Sequence, residues 1–255
     1  MDHIVTECRN NVLRIGFNRA ERKNAITAAM YQALADALGA AGADRGVRVV
    51  LIHGSAEVFT AGNDLHDFLA DPPRDASSPV FQFLHALSRF GKPVIAAVGG
   101  LAVGVGTTML LHCDLVYCAS GTQFSLPFVN LALCPEAASS LLLPRLAGYQ
   151  RAAELLMTGE PFSAERAREI GLVNEIVPAE RLLDAALAVA EKLAAKPPAA
   201  LTATKALMKR WLTAPVEEAM AAEGETFLRQ VLSAEATEAI SAFFEKRTPD
   251  FSKFG

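Results

Sequence analysis

Two stretches of small residues, Phe59-Thr60-Ala61-Gly62-Asn63-Asp64-Leu65 and Leu101-Ala102-Val103-Gly104-Val105-Gly106-Thr107, each follow an apolar, β-branched run and precede a helical pattern. At a strand-to-helix turn the first helical amides lack an intrahelical acceptor, and small residues let a ligand approach the backbone. One such turn is an anion site. Two that face each other supply two N–H donors to an oxygen that becomes negative during reaction, an oxyanion hole. Tight packing of strand on helix is the plainer account of either turn taken singly.

Other chemistries need residues that this chain does not arrange. His3, His53, His66, His85 and His112 are scattered without an H-E-x-x-H pattern, and Ser139-Ser140 lacks a G-x-S-x-G setting. Cys8, Cys113, Cys118 and Cys134 form no C-x-x-C pair and no zinc-type spacing, so buried reduced thiols are expected and no metal. Gly99 to Gly106 holds neither G-x-G-x-x-G in a dinucleotide context nor G-K followed by Ser or Thr. A Rossmann cofactor and a P-loop nucleotide are therefore unsupported.

The elements that must position the two turns follow from periodicity. His3–Cys8 and Val12–Phe17 flank Arg9-Asn10-Asn11 as a hairpin, since Asn tolerates left-handed backbone. Thr27 is placed to N-cap a helix with apolar Met30, Leu34, Ala37, Leu38 and Ala41. Strands are expected at Val47–Ile52, Val94–Val98 and Asp114–Ala119, alternating with helices, which implies crossovers and a largely parallel sheet. Ala70 to Pro79 has the composition of a mobile loop, a candidate lid. From Tyr149 onward helical patterns dominate, with Leu172–Val177 as the one expected strand.

The chain has 255 residues, 51% hydrophobic and 20% charged, enough for a globular core. A formal charge of -4 argues against nucleic acid as a partner. Pro93 to Leu111 carries no charge, but its glycines and β-branched residues read as a strand, a glycine turn and a helix rather than a membrane span. The segment Met1 to Glu7 shows no leader pattern, which predicts a cytoplasmic protein.

These residues resemble the crotonase, or enoyl-CoA hydratase/isomerase, superfamily over almost the whole chain. The resemblance rests on Asn18-Arg19-Ala20-Glu21-Arg22-Lys23-Asn24-Ala25-Ile26, on Phe59 to Leu65, on Lys92 to Val98 and on Cys113-Asp114, in family order. Leu155-Met157-Thr158-Gly159, Gly171-Leu172-Val173 and Phe243-Phe244-Glu245-Lys246-Arg247 also match. The resemblance implies an α/β spiral of ββα units over 1–195 and a C-terminal helical region over 196–255 that serves assembly into a homotrimer or a dimer of trimers. It implies an acyl-CoA thioester as substrate, with no cofactor beyond it and no membrane partner. By position, the oxyanion-hole donors are the amides of Asn63 and Val105. Arg22, Lys23, Ala61, Gly62, Asp64 and Leu65 fall where the family lines its CoA groove, Phe128 where it lines the acyl pocket, and Phe243 and Lys246 where a neighbouring subunit completes the groove.

Family hydratases use two glutamates to hold and activate water. The corresponding residues are Thr108 and Phe128, neither of which exchanges a proton as a carboxylate does. A different carboxylate is offered by Leu133-Cys134-Pro135-Glu136-Ala137-Ala138-Ser139-Ser140, which resembles the peroxisomal type of Δ3,Δ2-enoyl-CoA isomerase, where the glutamate after this proline is the catalytic base. Pattern alone also allows Glu136 to be an acid in a helix's first turn that merely stabilises the dipole. The expected activity is movement of a double bond from the 3 to the 2 position of an enoyl-CoA by one base. Other crotonase chemistry on a different acyl-CoA is the enzymatic alternative, and a non-catalytic acyl-CoA-binding scaffold the other.

Overall fold

Asn10 and Asn11, at φ 52° and 61°, turn the chain between β1 (Ile4–Arg9) and β2 (Val12–Phe17), which pair antiparallel with Ile4 opposite Phe17 and Arg9 opposite Val12. The computed structural model describes residues 2–70 and 72–254; Met1 of the expected leaderless start and Asp71 of the expected lid lie outside them. Thr27 caps α1 (Ala28–Ala43) as expected, its hydroxyl accepting from the Met30 amide at 3.3 Å. The helix then buries Met30, Tyr31, Leu34, Leu38 and Ala41 on one side.

Next come β3 (Val49–His53), α2 (Leu65–Ala70), α3 (Pro79–Ser88) and β4 (Val94–Val98). Here the structure adds an element. Between Val98 and the expected helix lies β5 (Leu101–Val103), and the helix itself is the single turn α4 (Val105–Thr108). Gly100 makes the bend possible: it sits at φ 62°, and a Cβ there would come within 1.6 Å of the Glu57 carbonyl oxygen. After β6 (Leu115–Ala119) the chain repeats the move with β7 (Gln123–Ser125), and after α5 (Ser139–Ala147) and α6 (Tyr149–Thr158) with β8 (Phe162–Ser163). Strands of two or three residues are too short to print an alternating pattern, so they are invisible to periodicity. Then α7 (Ala164–Glu169) leads to β9 (Glu175–Val177), shorter than the expected Leu172–Val177.

Two sheets result, six-stranded β1-β2-β3-β4-β6-β9 and three-stranded β5-β7-β8. All neighbours from β2 to β9 in the large sheet run parallel, as crossover connections require. The successive strand, short strand and helix units make the expected spiral. Alternation divides the cores: Val50, Ile52, Ala96 and Val98 join the large cluster with α1 and α3, while Val49, Leu51, Ile95 and Ala97 pack under α8 (Leu182–Ala194). Both faces of the central strands are thus covered.

The C-terminal helices are α9 (Pro198–Lys209), α10 (Thr213–Val231) and α11 (Ala234–Glu245), and Met220, Phe227, Val231 and Ala236 belong to the same large cluster as the first half of the chain. Lys205 pins α9: only 4% exposed, its Nζ donates to the Lys92 carbonyl at 2.7 Å and to Asp114 Oδ2 at 2.6 Å, which also accepts from the Val94 amide. Removing the cation strands a largely buried carboxylate, so Lys205→Met is expected to lower stability by about 3–5 kcal/mol in urea unfolding. A loss under about 1 kcal/mol would show the pair to be dispensable.

The four cysteines are free, but Cys8 on the edge strand β1 is exposed and Cys113 and Cys134 are half-buried, so full burial holds for Cys118 alone. Among the described residues no helix is long and apolar enough to cross a membrane, and the uncharged Pro93 to Leu111 stretch is β4, β5 and α4 with the turn after it.

Candidate active site

The Asn18–Ile26 motif acts as a frame for the first turn. Asn24, 1% exposed at φ 53°, accepts from the Arg19 amide at 2.8 Å and donates to the carbonyls of Phe59 at 3.0 Å and Val58 at 3.3 Å. Thr60 donates its hydroxyl to the Asn24 carbonyl at 2.7 Å and accepts from the Gly62 amide at 3.1 Å. Ile26 then pairs with Asn63 as an isolated parallel bridge, its amide donating to Gly62 O and its carbonyl accepting from the Asp64 amide. A second bridge, Thr60 to Ala102, ties this turn to β5 and hence to the second turn. The two turns are therefore held side by side.

Within them, Gly104 at φ 56° and ψ −117° starts α4, and its carbonyl accepts from the Thr107 and Thr108 amides. The Asn63 and Val105 amides make no hydrogen bond among the described residues. Both residues line one groove of about 930 Å³. Arg22, Lys23, Ala61, Gly62, Asp64, Leu65, Phe128, Phe243 and Lys246 line it too, so eleven of the twelve residues singled out from the sequence converge. Phe128 and Leu133 supply apolar wall, while Arg22, Lys23 and Lys246 form no ion pair among the described residues. Their exposed cations suit a phosphate-bearing ligand.

The groove residues differ in what holds them. Phe243 and Lys246 reach the groove of their own chain, because α11 folds back across it and Phe244 stacks on His66 of α2 with ring centroids 4.2 Å apart. Asp64 lines the groove, but its carboxylate is committed to Arg19 at 2.6 Å and to the His66 and Asp67 amides at the start of α2. The anchoring role of Arg19 was legible only as a motif position.

Glu136 is the twelfth residue, and it does not line the groove. Phe128, Leu131 and Leu133, from the same segment, do. Nor is it in a helix's first turn: α5 begins at Ser139, and Ala137 and Ala138 precede it at φ 60° and 55°. The acid that serves that helix is Glu223, from α10, so dipole stabilisation is not the role of Glu136. Glu136 is 4% exposed, its Oε1 has no hydrogen-bond partner among the described residues, and burial, with the Glu223 charge second, pushes its pKa up to about 8. Its charge also helps hold the Tyr31 phenol well above its ordinary pKa, after burial. Tyr31 in turn donates to Asn63 Oδ1, so the acid and the first turn share a neighbour. Tyr31 and Asn63 also line a second cavity, of about 310 Å³, with Pro72, Pro73, Ser77 and Ser78 of the loop expected to act as a lid.

At the two hydratase positions, Thr108 is fully buried at the end of α4 and Phe128 is 5% exposed in the groove wall. Neither supplies a carboxylate. Lys246 closes α11 in left-handed backbone at φ 55°, with an exposed side chain over the groove. A phosphate contact binds ground and transition states alike, so Lys246→Ala is expected to raise KM for CoA esters about three- to tenfold with kcat retained. A loss confined to kcat would remove Lys246 from CoA binding.

Residues 7–253 match the enoyl-CoA hydratase/isomerase family model. The chain is 33% identical to 2,3-dehydroadipyl-CoA hydratase of Escherichia coli K12, across 98% of this chain and 99% of that one. It is 34% identical to 1,2-epoxyphenylacetyl-CoA isomerase of the same organism, across 99% of both. Among solved structures, an enoyl-CoA hydratase/isomerase from Pseudoalteromonas atlantica T6c superposes with a TM-score of 0.94 at 39% identity, over 98% of this chain and all of that one. With two unbonded backbone amides, an apolar wall and a cationic rim meeting in one groove, the chain belongs to the enoyl-CoA hydratase/isomerase family and acts on acyl-CoA thioesters.

Proposed function

We propose that the protein is an enoyl-CoA isomerase that moves a double bond from the 3 to the 2 position with Glu136 as its single base. The observation that carries this is the pairing of one buried carboxylate, its Oε1 free and its pKa near 8, with Thr108 and Phe128 where two water-holding carboxylates are needed for hydration. Polarisation of the thioester carbonyl by the Asn63 and Val105 amides acidifies the α-carbon. Glu136 removes the α-proton, the dienolate charge rests between the two amides, and the same carboxyl returns the proton to the γ-carbon. A carboxyl with a raised pKa suits both halves, because it accepts and releases at similar cost. The acyl chain lies along Phe128 and Leu133, next to the Glu136 segment, and contacts to a base commonly tighten only in the complex with substrate.

The test compares a 3-enoyl-CoA and a 2-enoyl-CoA side by side. Isomerisation of the first at least about a hundredfold faster than hydration of the second is expected, since a missing general base and acid cost about that factor or more. Comparable rates would make Thr108 and Phe128 poor guides and defeat the single-base mechanism.

A further inference from the structure

Glu223 stands in the middle of α10, 7% exposed, and takes no part in the reaction as described above. Its carboxylate is fully engaged. Oε2 accepts from the Ala138 amide at 2.6 Å, and Oε1 accepts from the Ser140 amide at 2.9 Å and the Ser140 hydroxyl at 2.5 Å. These donors sit where α5 begins and helical amides lack acceptors, so an anion is favoured there. A cap of this kind usually comes from the residue beside the helix, whereas this one comes from 85 residues away along the chain. The residues it grips are those that follow Glu136.

Ala137 and Ala138 are both left-handed, at φ 60° and 55°. Each such non-glycine residue costs about 1–2 kcal/mol, so two in succession require support from outside. Support arrives from two sides: Glu223 holds the Ala138 amide, and His112, 2% exposed, donates from Nε2 to the Ala137 carbonyl at 2.7 Å. Burial lowers the His112 pKa to about 4, so the ring is neutral and works as a hydrogen-bond donor only.

We propose that Glu223 is a positioning residue for the isomerase reaction: it holds the left-handed Ala137–Ala138 turn that aims Glu136, and it is the fixed negative charge beside which Glu136 exchanges its proton. This rests on Glu136 being the base. The groups that face Glu136 are Tyr31 from α1, Cys134 from its own segment and Glu223 from α10, with His112 behind Ala137. Burial keeps Tyr31 and Cys134 neutral, the thiol pushed up to about 11. Glu223 is the neighbour whose charge acts on Glu136. Burial raises the Glu223 pKa as well, but the three donors on its carboxylate oppose that rise, and its charge in turn opposes ionisation of Glu136.

The experiment is Glu223→Gln, measured with a 3-enoyl-CoA from about pH 6 to 10 beside Glu136→Gln. Gln keeps an acceptor oxygen and removes the charge. The expected result is a kcat lowered about tenfold at unchanged KM, with the acid limb of the pH profile moved to lower pH by about one unit. A helix cap and nothing more moves the melting temperature alone, so a wild-type kcat and acid limb in Glu223→Gln overturn the proposal. Should that variant not fold, Glu223→Asp keeps the charge but shortens the reach. A several-fold loss of kcat at constant KM is then expected, and wild-type kcat overturns the proposal. Glu136→Gln separates the two failures: full turnover there removes Glu136 as the base, whereas lost turnover there with an unmoved Glu223→Gln profile defeats the positioning role alone.

Discussion

Glu136→Gln is expected to lose about 10²–10⁴-fold in isomerase turnover while folding and binding acyl-CoA as the parent does. Gln keeps the shape of the side chain but cannot accept the α-proton. The oxyanion hole would still polarise the carbonyl, with nothing to complete the shift. In the parent the base works when ionised, so kcat/KM should rise with pH and level off above about 8, where Glu136 titrates. Stability should run the other way. The folded pKa of about 8 lies above the ordinary 4.5, so the folded state holds a proton that the unfolded chain releases. Stability from this group is then full below about pH 4.5 and falls as pH rises toward 8, by on the order of 3 kcal/mol at pH 7. Gln has no such proton, so the variant's stability relative to the parent should improve by that amount between pH 4.5 and 7. Steady-state kinetics and urea unfolding on the same two proteins check both signs. Full turnover in the variant would sink the mechanism.

The sequence was most legible where one local rule sufficed. Asn10-Asn11 and Thr27 act where turn and cap chemistry place them, and the two glycine turns lie side by side. The motif positions also converge, because spacing along this chain encodes a frame: Asn24 and Arg19 anchor the first turn through bonds that only their residue types can make. What could not be read depends on distant partners. The strands β5, β7 and β8 are too short to carry a period and are defined by one another. Glu136 looked like a first-turn acid because Pro135 precedes it, yet the helix starts three residues later and takes its anion from Glu223. Nothing near Glu223 in sequence indicates that role. Likewise, whether Phe243 and Lys246 serve their own groove or a neighbour's depends on how α11 folds back, which no local pattern fixes.

Gly62→Ala should be nearly as damaging as loss of the base, for a reason that lies wholly in the backbone. Gly62 has φ 84°, and a Cβ there would stand 2.7 Å from the Val103 carbonyl oxygen, with the Val103 carbonyl carbon at 3.4 Å. No side-chain rotation relieves a contact between a Cβ and a backbone oxygen. The two turns must move apart, and they carry the Asn63 and Val105 amides proposed to flank the substrate oxygen. Loss of one oxyanion donor costs about 10²–10³-fold in kcat, and a gap opened between two donors should approach that range. The change also incurs about 1–2 kcal/mol for the left-handed backbone, which by itself says nothing about catalysis. Gly121→Ala isolates that part: Gly121 has φ 81°, with nothing within 4 Å of its would-be Cβ. Both variants should lose similar stability from conformation, and only Gly62→Ala should lose turnover. If the two lose turnover equally, the close packing of the Gly62 turn on Val103 is not what holds the oxyanion hole together.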